Sequence, residues 1–265
     1  MSALHTRGLD AEGFILTLPA VPVQPEFRAV LEDVCTSLAQ PELGLDGLYL
    51  YGSVARGEAT PGESDLDLTL VLRESTPQLL ERLDVLRREL ERRHPHLSKI
   101  DFDIGSRAQV LALENRNRWG FWLKHQCRCV WGNDLSLQFE RFKPSREIAL
   151  AVNGDFEVVL SDYLSRIAGA DSEPQRLALQ RQASRKLVRA TQVLRPEEAT
   201  AWPQTLEEHV AMFVRYHPAK VTQIAFFLFE ARNPSAATEN FCARLCAFLD
   251  WMVSQQRLLL GAVER

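Results

Sequence analysis

The feature that most constrains this chain is a pair of short apolar segments joined by a glycine-containing loop, with two acids at the start of the second segment. Residues 48–51 are typical of a buried strand, and Gly52-Ser53 ends it with a turn where the backbone can come close to a neighbour. Eleven residues later, Asp65 and Asp67 enter a second apolar segment that extends to residue 72. Because side chains alternate between the two faces of a strand, both carboxylates project to the same side.

Two carboxylates on one face of a strand repel each other. In isolation, one of the pair has its pKa raised and takes up a proton. A bound divalent cation removes this conflict and keeps both carboxylates ionised. Asp65 and Asp67 therefore indicate a metal site at the start of the second strand.

A further acid is expected on a neighbouring strand. After a predicted helix over residues 77–94, residues 98–105 alternate polar and apolar side chains and predict a strand. Asp101 and Asp103 share one face of that strand, and acids on adjacent strands are electrostatically costly without cations. The pattern supports the metal site and leaves both acids as candidates for its third carboxylate.

The combined pattern closely resembles the signature of the DNA polymerase beta-type nucleotidyltransferase superfamily. It consists of Gly52-Ser53, a loop with glycine and proline, and a Ser-Asp-Leu-Asp run that enters an apolar strand. The resemblance implies that Asp65 and Asp67 coordinate two Mg²⁺ ions, and that a third carboxylate takes the proton from the attacking group. Superfamily members carry this acid early in its strand, which favours Asp101 over Asp103. The predicted catalytic and metal-binding residues are therefore Asp65, Asp67 and Asp101.

The same resemblance assigns residues to a nucleotide substrate, ATP or another nucleoside triphosphate. In the superfamily the Gly-Ser turn opens a helix whose first amides and serine hydroxyl hold the terminal phosphates, as a helix dipole favours. Arg56 either contacts phosphate or faces solvent. A basic stripe that includes Arg185 and Arg189 neutralises triphosphate if its helix faces the nucleotide, and is an ordinary solvated face otherwise. The predicted nucleotide-binding residues are Gly52, Ser53, Arg56, Ser64, Arg185 and Arg189.

Composition narrows the class of protein. With 265 residues, of which 46% are hydrophobic and 25% charged, the chain is long enough for two modest domains. A net charge of −4 argues against nucleic acid bound through a broad basic surface. No apolar run reaches the roughly 18 residues of a membrane span, and the five cysteines lack the spacing of a zinc knuckle. We expect a cytoplasmic protein with free thiols and no membrane partner.

The chain is predicted to divide near residue 145 into an α+β arrangement. Residues 1–144 alternate strand and helix signals and predict a catalytic domain with a small mixed sheet, closed by a helix-rich stretch that ends at residues 130–135. Residues 145–265 predict an all-α helical bundle, with helices near 145–167, 174–194, 206–216, 218–231 and 236–259. This organisation resembles the aminoglycoside adenylyltransferases, in which the acceptor lies in the cleft between the two domains.

The expected function is a Mg²⁺-dependent nucleotidyltransferase. It is expected to move a nucleoside monophosphate, with AMP from ATP as the first choice, to a hydroxyl of a small-molecule acceptor such as an aminoglycoside-like compound. One alternative is nucleotidylation of a macromolecule, either a protein or the 3′ end of a tRNA, although the acidic composition argues against a nucleic-acid partner. The other alternative is a non-catalytic nucleotide sensor. The acidic pair counts against it, because a site without metal has no physical reason to keep charges that repel.

Overall fold

A mixed four-stranded sheet organises the first of two units in this chain. The computed structural model describes residues 8–263, with residues 15–142 in one unit and residues 8–14 and 143–263 in the other. In chain order the helices and strands are α1 (Pro25–Leu38), β1 (Leu45–Tyr51), α2 (Gly52–Arg56), β2 (Leu66–Leu72), α3 (Pro77–Arg93), β3 (Ile100–Ser106), α4 (Arg107–Leu111), β4 (Arg128–Gly132), α5 (Arg146–Asn153), α6 (Phe156–Ala168), α7 (Glu173–Ala190), α8 (Leu206–Tyr216), α9 (Val221–Glu230) and α10 (Thr238–Val263). The predicted α+β fold class is confirmed.

The strand order in the sheet is β3-β2-β1-β4. β1 runs antiparallel to both β2 and β4, whereas β2 and β3 are parallel and are joined through α3. A parallel pair requires a crossover connection of this kind. The predicted strands at residues 48–51, 66–72 and 98–105 correspond to β1, β2 and β3.

The two faces of the sheet differ in what they bury. One face packs against α1 and α3 and is largely apolar, since every second residue of β2 is a buried leucine and β1 adds its three buried leucines. Burying such a side chain fully is favourable by about 1.5–3 kcal/mol. The residues of this core include Leu48, Leu50, Leu66, Leu68, Leu70 and Ile100 from the sheet, Phe27, Val30 and Val34 from α1, and Leu83 and Leu90 from α3.

Polar contacts cap α3 at its start and tie its end to α1. At its start, the Thr76 side chain accepts a hydrogen bond from the backbone N–H of Leu79, a normal N-terminal cap. At its end, Asp33 of α1 lies 2.8 Å from the Arg93 guanidinium and 2.7 Å from Nε2 of His94. Burial raises the pKa of Asp33, but the hydrogen bond to His94 and the charge of Arg93 outweigh it and lower the pKa below its usual value. These contacts position the chain that leads into β3.

The fourth strand corrects the sequence-based prediction. The stretch after β3 is expected to be helix-rich, and it is helical over much of residues 107–126. Within it, however, Arg128–Gly132 forms β4, which pairs with β1 across a register shift between Leu48 and Tyr49. The Tyr49 hydroxyl donates to the carbonyl of Asn133 at 2.8 Å and accepts from the N–H of Leu135 at 2.7 Å. Contacts over more than 80 residues thus hold the strand in place, and no local pattern predicts them.

The helical unit has its own core. Within it, α7 packs against α6, α8 and α9, and α10 packs against α6. The helix predicted near residues 145–167 is in fact two helices, α5 and α6, which are separated at Gly154 and Asp155. Among the described residues, no helix is long and apolar enough to cross a membrane. The principal core residues are Phe156, Leu160, Ala183, Leu187, Ile224, Phe227, Phe241, Leu245 and Met252.

A buried histidine fastens the two ends of the first unit. His125 is 2% exposed and stacks on Phe121, with ring centroids 5.5 Å apart. Its Nε2 accepts the backbone N–H of Phe142 at 3.0 Å, so the proton of the neutral ring is on Nδ1, which faces the carbonyl of Leu16 at 3.3 Å. Burial, together with the nearby charge of Lys124, lowers the pKa of His125 to about 4.

This histidine predicts a loss of stability in acid. The pKa of His125 is lower in the folded protein than the ordinary value of 6.5, so its neutral form stabilises the fold above pH 6.5. That contribution is lost as pH falls from 6.5 towards 4, by up to about 3 kcal/mol. Urea unfolding between pH 7.5 and 4.5, followed by tryptophan fluorescence, measures the effect.

The His125→Gln variant is the control, because glutamine can form hydrogen bonds at this position but does not titrate. We expect it to be less stable than the wild type at pH 7.5 and to lose less stability on acidification. His209 and His217 also have lowered pKa values. Both are present in the wild type and in the variant, so they do not contribute to the difference between the two. Equal losses of stability in the two proteins would contradict the assignment to His125.

Candidate active site

Three carboxylates meet at one edge of the sheet. Asp65 directly precedes β2, Asp67 is its second residue, and Asp101 is the second residue of β3. The parallel register of these strands places Asp67 beside Asp101, and strand alternation brings Asp65 to the same face. Ligand oxygens of the three residues all lie within 4.8 Å of one another. The structure therefore brings together the three acids that were predicted to bind metal.

The second acid of β3 lies elsewhere. Asp103 pairs with Thr69 rather than with Asp67, one step further along the same face. Burial raises the pKa of Asp103, although the charge of Arg118 opposes the shift. Beside it, Thr69 is fully buried and accepts a hydrogen bond from Nε1 of Trp122 at 3.0 Å. Asp103 thus lies towards the covered part of the sheet, away from the position that Asp101 shares with Asp67.

The Gly-Ser turn needs a glycine because its backbone lies close to the Asp67 side chain. Gly52 has a φ of +74°, in the left-handed region that side chains rarely adopt. A Cβ atom at this position would lie 2.0 Å from Oδ2 of Asp67. The start of α2 is therefore in close contact with the carboxylate of Asp67, and Ser53 follows in the first turn of that helix.

Hydrogen bonds fix the loop that delivers Asp65. The hydroxyl of Ser64 accepts the backbone N–H of Thr60 at 2.9 Å, which closes the loop just before the acid. The hydroxyl of Ser98 donates to Oδ1 of Asp65 at 2.6 Å from the chain that enters β3. Ser64, predicted as a nucleotide-binding residue, thus has a structural contact of its own.

A lysine between the acids was not predicted. Nζ of Lys99 lies 2.5 Å from Oδ2 of Asp101 and 3.8 Å from Oδ2 of Asp65. Burial lowers the pKa of Lys99, but the hydrogen bond to Asp101 and the negative charges of the acids outweigh it, so that the pKa is raised overall. The signal was present in the sequence, because Lys99 is two residues before Asp101 and therefore shares its face.

Aromatic side chains border the acids along the same face. Tyr51 is paired with Asp67, and its ring meets that of Trp122 edge to face at a centroid distance of 5.0 Å. Burial, followed by the negative charges of Asp67 and Asp103, raises the pKa of Tyr51. The phenol therefore remains protonated at neutral pH and adds no negative charge to the site.

The predicted arginines have partners of their own. Arg56 is exposed and forms an ion pair with Glu58 at 2.8 Å. Arg185 and Arg189 lie on α7 of the helical unit, where Nε of Arg185 donates to the carbonyl of Ala231 at 3.3 Å. The roles of these three residues in nucleotide binding stay predictions.

Comparison with known proteins agrees with this geometry. Residues 31–116, which contain the Gly-Ser turn and all three acids, match the family model described as a nucleotidyltransferase domain. No curated protein matches the sequence at a significant level.

A solved structure extends the likeness over most of the chain. It is the spectinomycin adenyltransferase from Enterococcus faecialis with ATP and spectinomycin, and the match covers 86% of this chain and 98% of that chain. The TM-score is 0.59 and the sequence identity is 14%, so the comparison establishes a shared fold. The resemblance to polymerase beta-type nucleotidyltransferases and aminoglycoside adenylyltransferases, predicted from the sequence, is confirmed.

The close approach at Gly52 predicts a specific cost of substitution. Gly52→Ala must adopt an unfavourable φ and also displace the Asp67 carboxylate, so we expect it to be less stable than the wild type by about 2–4 kcal/mol. Gly57→Ala is the matched control. Gly57 ends the same helix with a φ of +70°, but its added Cβ would meet only a Val21 methyl group at 3.5 Å.

Thermal or urea unfolding of both variants measures the difference. The control should lose only the backbone contribution, about 1 kcal/mol. If Gly52→Ala were no less stable than Gly57→Ala, the contact with Asp67 would not constrain the turn.

Proposed function

We propose that this chain is an enzyme that transfers a nucleoside monophosphate to a hydroxyl group of a small molecule, which the match of residues 31–116 to a nucleotidyltransferase domain supports. The proposed nucleoside monophosphate is AMP, and its donor is ATP. The observation that carries the proposal is the cluster of Asp65, Asp67 and Asp101 beside the Gly52-Ser53 turn. The similar structure was solved with ATP and spectinomycin, which supports a nucleotide and a small polar acceptor as substrates.

The donor set fits a hard divalent cation. Mg²⁺ prefers oxygen ligands and is commonly bound by a few carboxylates together with substrate phosphates. Asp65, Asp67 and Asp101 offer such oxygens within 4.8 Å of one another, and the ammonium of Lys99 already lies among them as a cationic substitute. We assign these three residues as ligands of two Mg²⁺ ions. When bound, the ions would stabilise the negative charge that develops on the transferred phosphate.

The residues of the chain supply the remaining steps. Asp101 accepts the proton of the acceptor hydroxyl, whose oxygen forms a bond to the α-phosphorus. The bond from that phosphorus to the bridging oxygen of the β-phosphate breaks, and diphosphate leaves. The Ser53 hydroxyl and the backbone amides at Gly52-Ser53 hold the terminal phosphates, and Asp101 later releases its proton to water.

Removing one central ligand tests the assignment. We expect Asp67→Asn to lower nucleotidyl transfer by at least about a thousandfold, because the metal contribution amounts to several kcal/mol. The assay supplies labelled ATP, GTP, CTP and UTP with Mg²⁺ to the protein in a cell extract, and then separates small molecules, RNA and protein. Asp84→Asn, an exposed acid on α3, is the control and should keep full activity.

The outcomes of this assay separate the candidate functions. Label in a small molecule supports the proposal, and spectinomycin is the first pure acceptor to add. Label in RNA or protein would assign the transfer to a macromolecule instead. Full activity of Asp67→Asn would refute the site itself.

A paired substitution tests the choice of the third acid. Asp101→Asn removes the proposed base and is expected to lower kcat by about 10²–10⁴-fold. Asp103→Asn changes the same chemical group two residues away and should keep kcat within about tenfold of the wild type, since Asp103 lies next to Thr69. Steady-state kinetics with saturating Mg²⁺ gives both values. The reverse order of the two effects would assign the base to Asp103.

A further inference from the structure

The lysine among the acids has a position that the strands impose. Its backbone carbonyl accepts the N–H of Leu66 at 3.0 Å, so Lys99 is fixed beside the start of β2. Strand alternation then points its side chain to the face that carries Asp101. Since Ile100 is in register with Leu66, Lys99 also lies next to Asp65 across the two strands. The ammonium therefore reaches both acids without any unusual backbone conformation.

The lysine side chain is held at the acids but can leave them. It is 35% exposed, and the carboxylates of Asp101 and Asp65 are 42% and 29% exposed. A lysine carries its charge on a flexible four-carbon stem, so the ammonium can move into water while the backbone stays in place. The ion pair is thus accessible to exchange, unlike a buried pair that leaves an unpaired charge when it breaks.

We propose that Lys99 is a tethered counter-cation of Asp65 and Asp101 that competes with a divalent cation for these carboxylates. The inference rests on the proposed metal site and adds a residue that sets its affinity. Without metal, the ammonium offsets part of the repulsion among the three acids. Metal binding requires the ammonium to withdraw from Asp101, because both cations use the same oxygens. Lys99 therefore weakens metal binding to the free enzyme and stabilises the metal-free fold.

The simplest alternative is an ordinary ion pair at the protein surface. Such pairs contribute about 0–1 kcal/mol and are screened by salt. In that case Lys99 would affect metal binding only through the net charge of the protein. A second lysine can separate the two explanations. Lys124 is also partly buried, but its ammonium donates to the carbonyl of Ser136 at 3.2 Å, which is neutral.

The test measures Mn²⁺ binding to the full chain without nucleotide, by electron paramagnetic resonance and calorimetry. Lys99→Met is expected to bind Mn²⁺ about five- to tenfold more tightly than the wild type. Lys124→Met removes the same charge elsewhere and should stay within about twofold. Lys99→Arg keeps a cation at the site and should stay close to the wild type. Asp67→Asn should abolish binding, which identifies the site that is measured.

Thermal unfolding provides a second readout that needs no activity. Without metal, Lys99→Met should unfold at a lower temperature than the wild type, and Mn²⁺ should raise its Tm by more than it raises that of the wild type. If Lys99→Met does not fold, Lys99→Gln takes its place in both measurements.

The failures of the two proposals are distinguishable. Suppose that the wild type binds Mn²⁺, that Asp67→Asn abolishes this binding, and that Lys99→Met binds no more tightly than the wild type. The metal site would then stand, and only the role of Lys99 would be overturned. Equal tightening in Lys99→Met and Lys124→Met would reduce the effect to net charge and would also overturn it. No Mn²⁺ binding in either the wild type or Lys99→Met would overturn the metal site, and this inference with it.

Discussion

Electrostatic repulsion among three carboxylates is the constraint on which the first unit of this protein depends. The parallel register of β2 and β3 places Asp67 beside Asp101, and the start of β2 adds Asp65. Two like charges 4 Å apart near a protein surface repel by about 4 kcal/mol, so the arrangement favours a nearby positive charge. Two neighbouring residues accommodate the cluster. Gly52 allows the backbone to come against Asp67, and Lys99 places an ammonium between the acids of the two strands.

The face of the sheet that carries the acids changes from polar to apolar along β2. Carboxyl groups at different points along this face therefore differ in burial. Asp67 is followed on that face by Thr69 and then by Val71, both fully buried under a second hydrophobic cluster that includes Trp119 and Leu123. Asp103 lies beside Thr69 and has a raised pKa because of burial, whereas Asp101, two residues earlier, lies with the other acids. Asp101 and Asp103 are the same residue type, and their positions along β3 make the first a candidate metal ligand and the second a partly buried acid.

Local sequence patterns were sufficient for the features that depend on neighbouring residues. Alternation along β2 and β3 predicted which acids share a face, and the Gly-Ser turn predicted a close approach of the backbone. Features that depend on pairing between distant segments were not predictable in this way. β4 is a short strand defined by β1 and by the Tyr49 hydroxyl, and the contact of Lys99 with Asp65 depends on the register of two strands. The same register places Asp101 beside Asp67, whereas the sequence pattern alone leaves both Asp101 and Asp103 as candidates for the third carboxylate.

A single ammonium cannot neutralise three carboxylates, and this imbalance shapes how the proposed site would operate. With Lys99 in place the cluster still carries a net negative charge, so a divalent cation remains favourable there. The ammonium nevertheless raises the concentration of metal that the free enzyme needs. A nucleoside triphosphate brings phosphate oxygens that add ligands to the same ions. Binding of nucleotide and metal would therefore support each other, because the phosphates offset the cost of withdrawing Lys99, which would then be a free cation beside an anionic substrate.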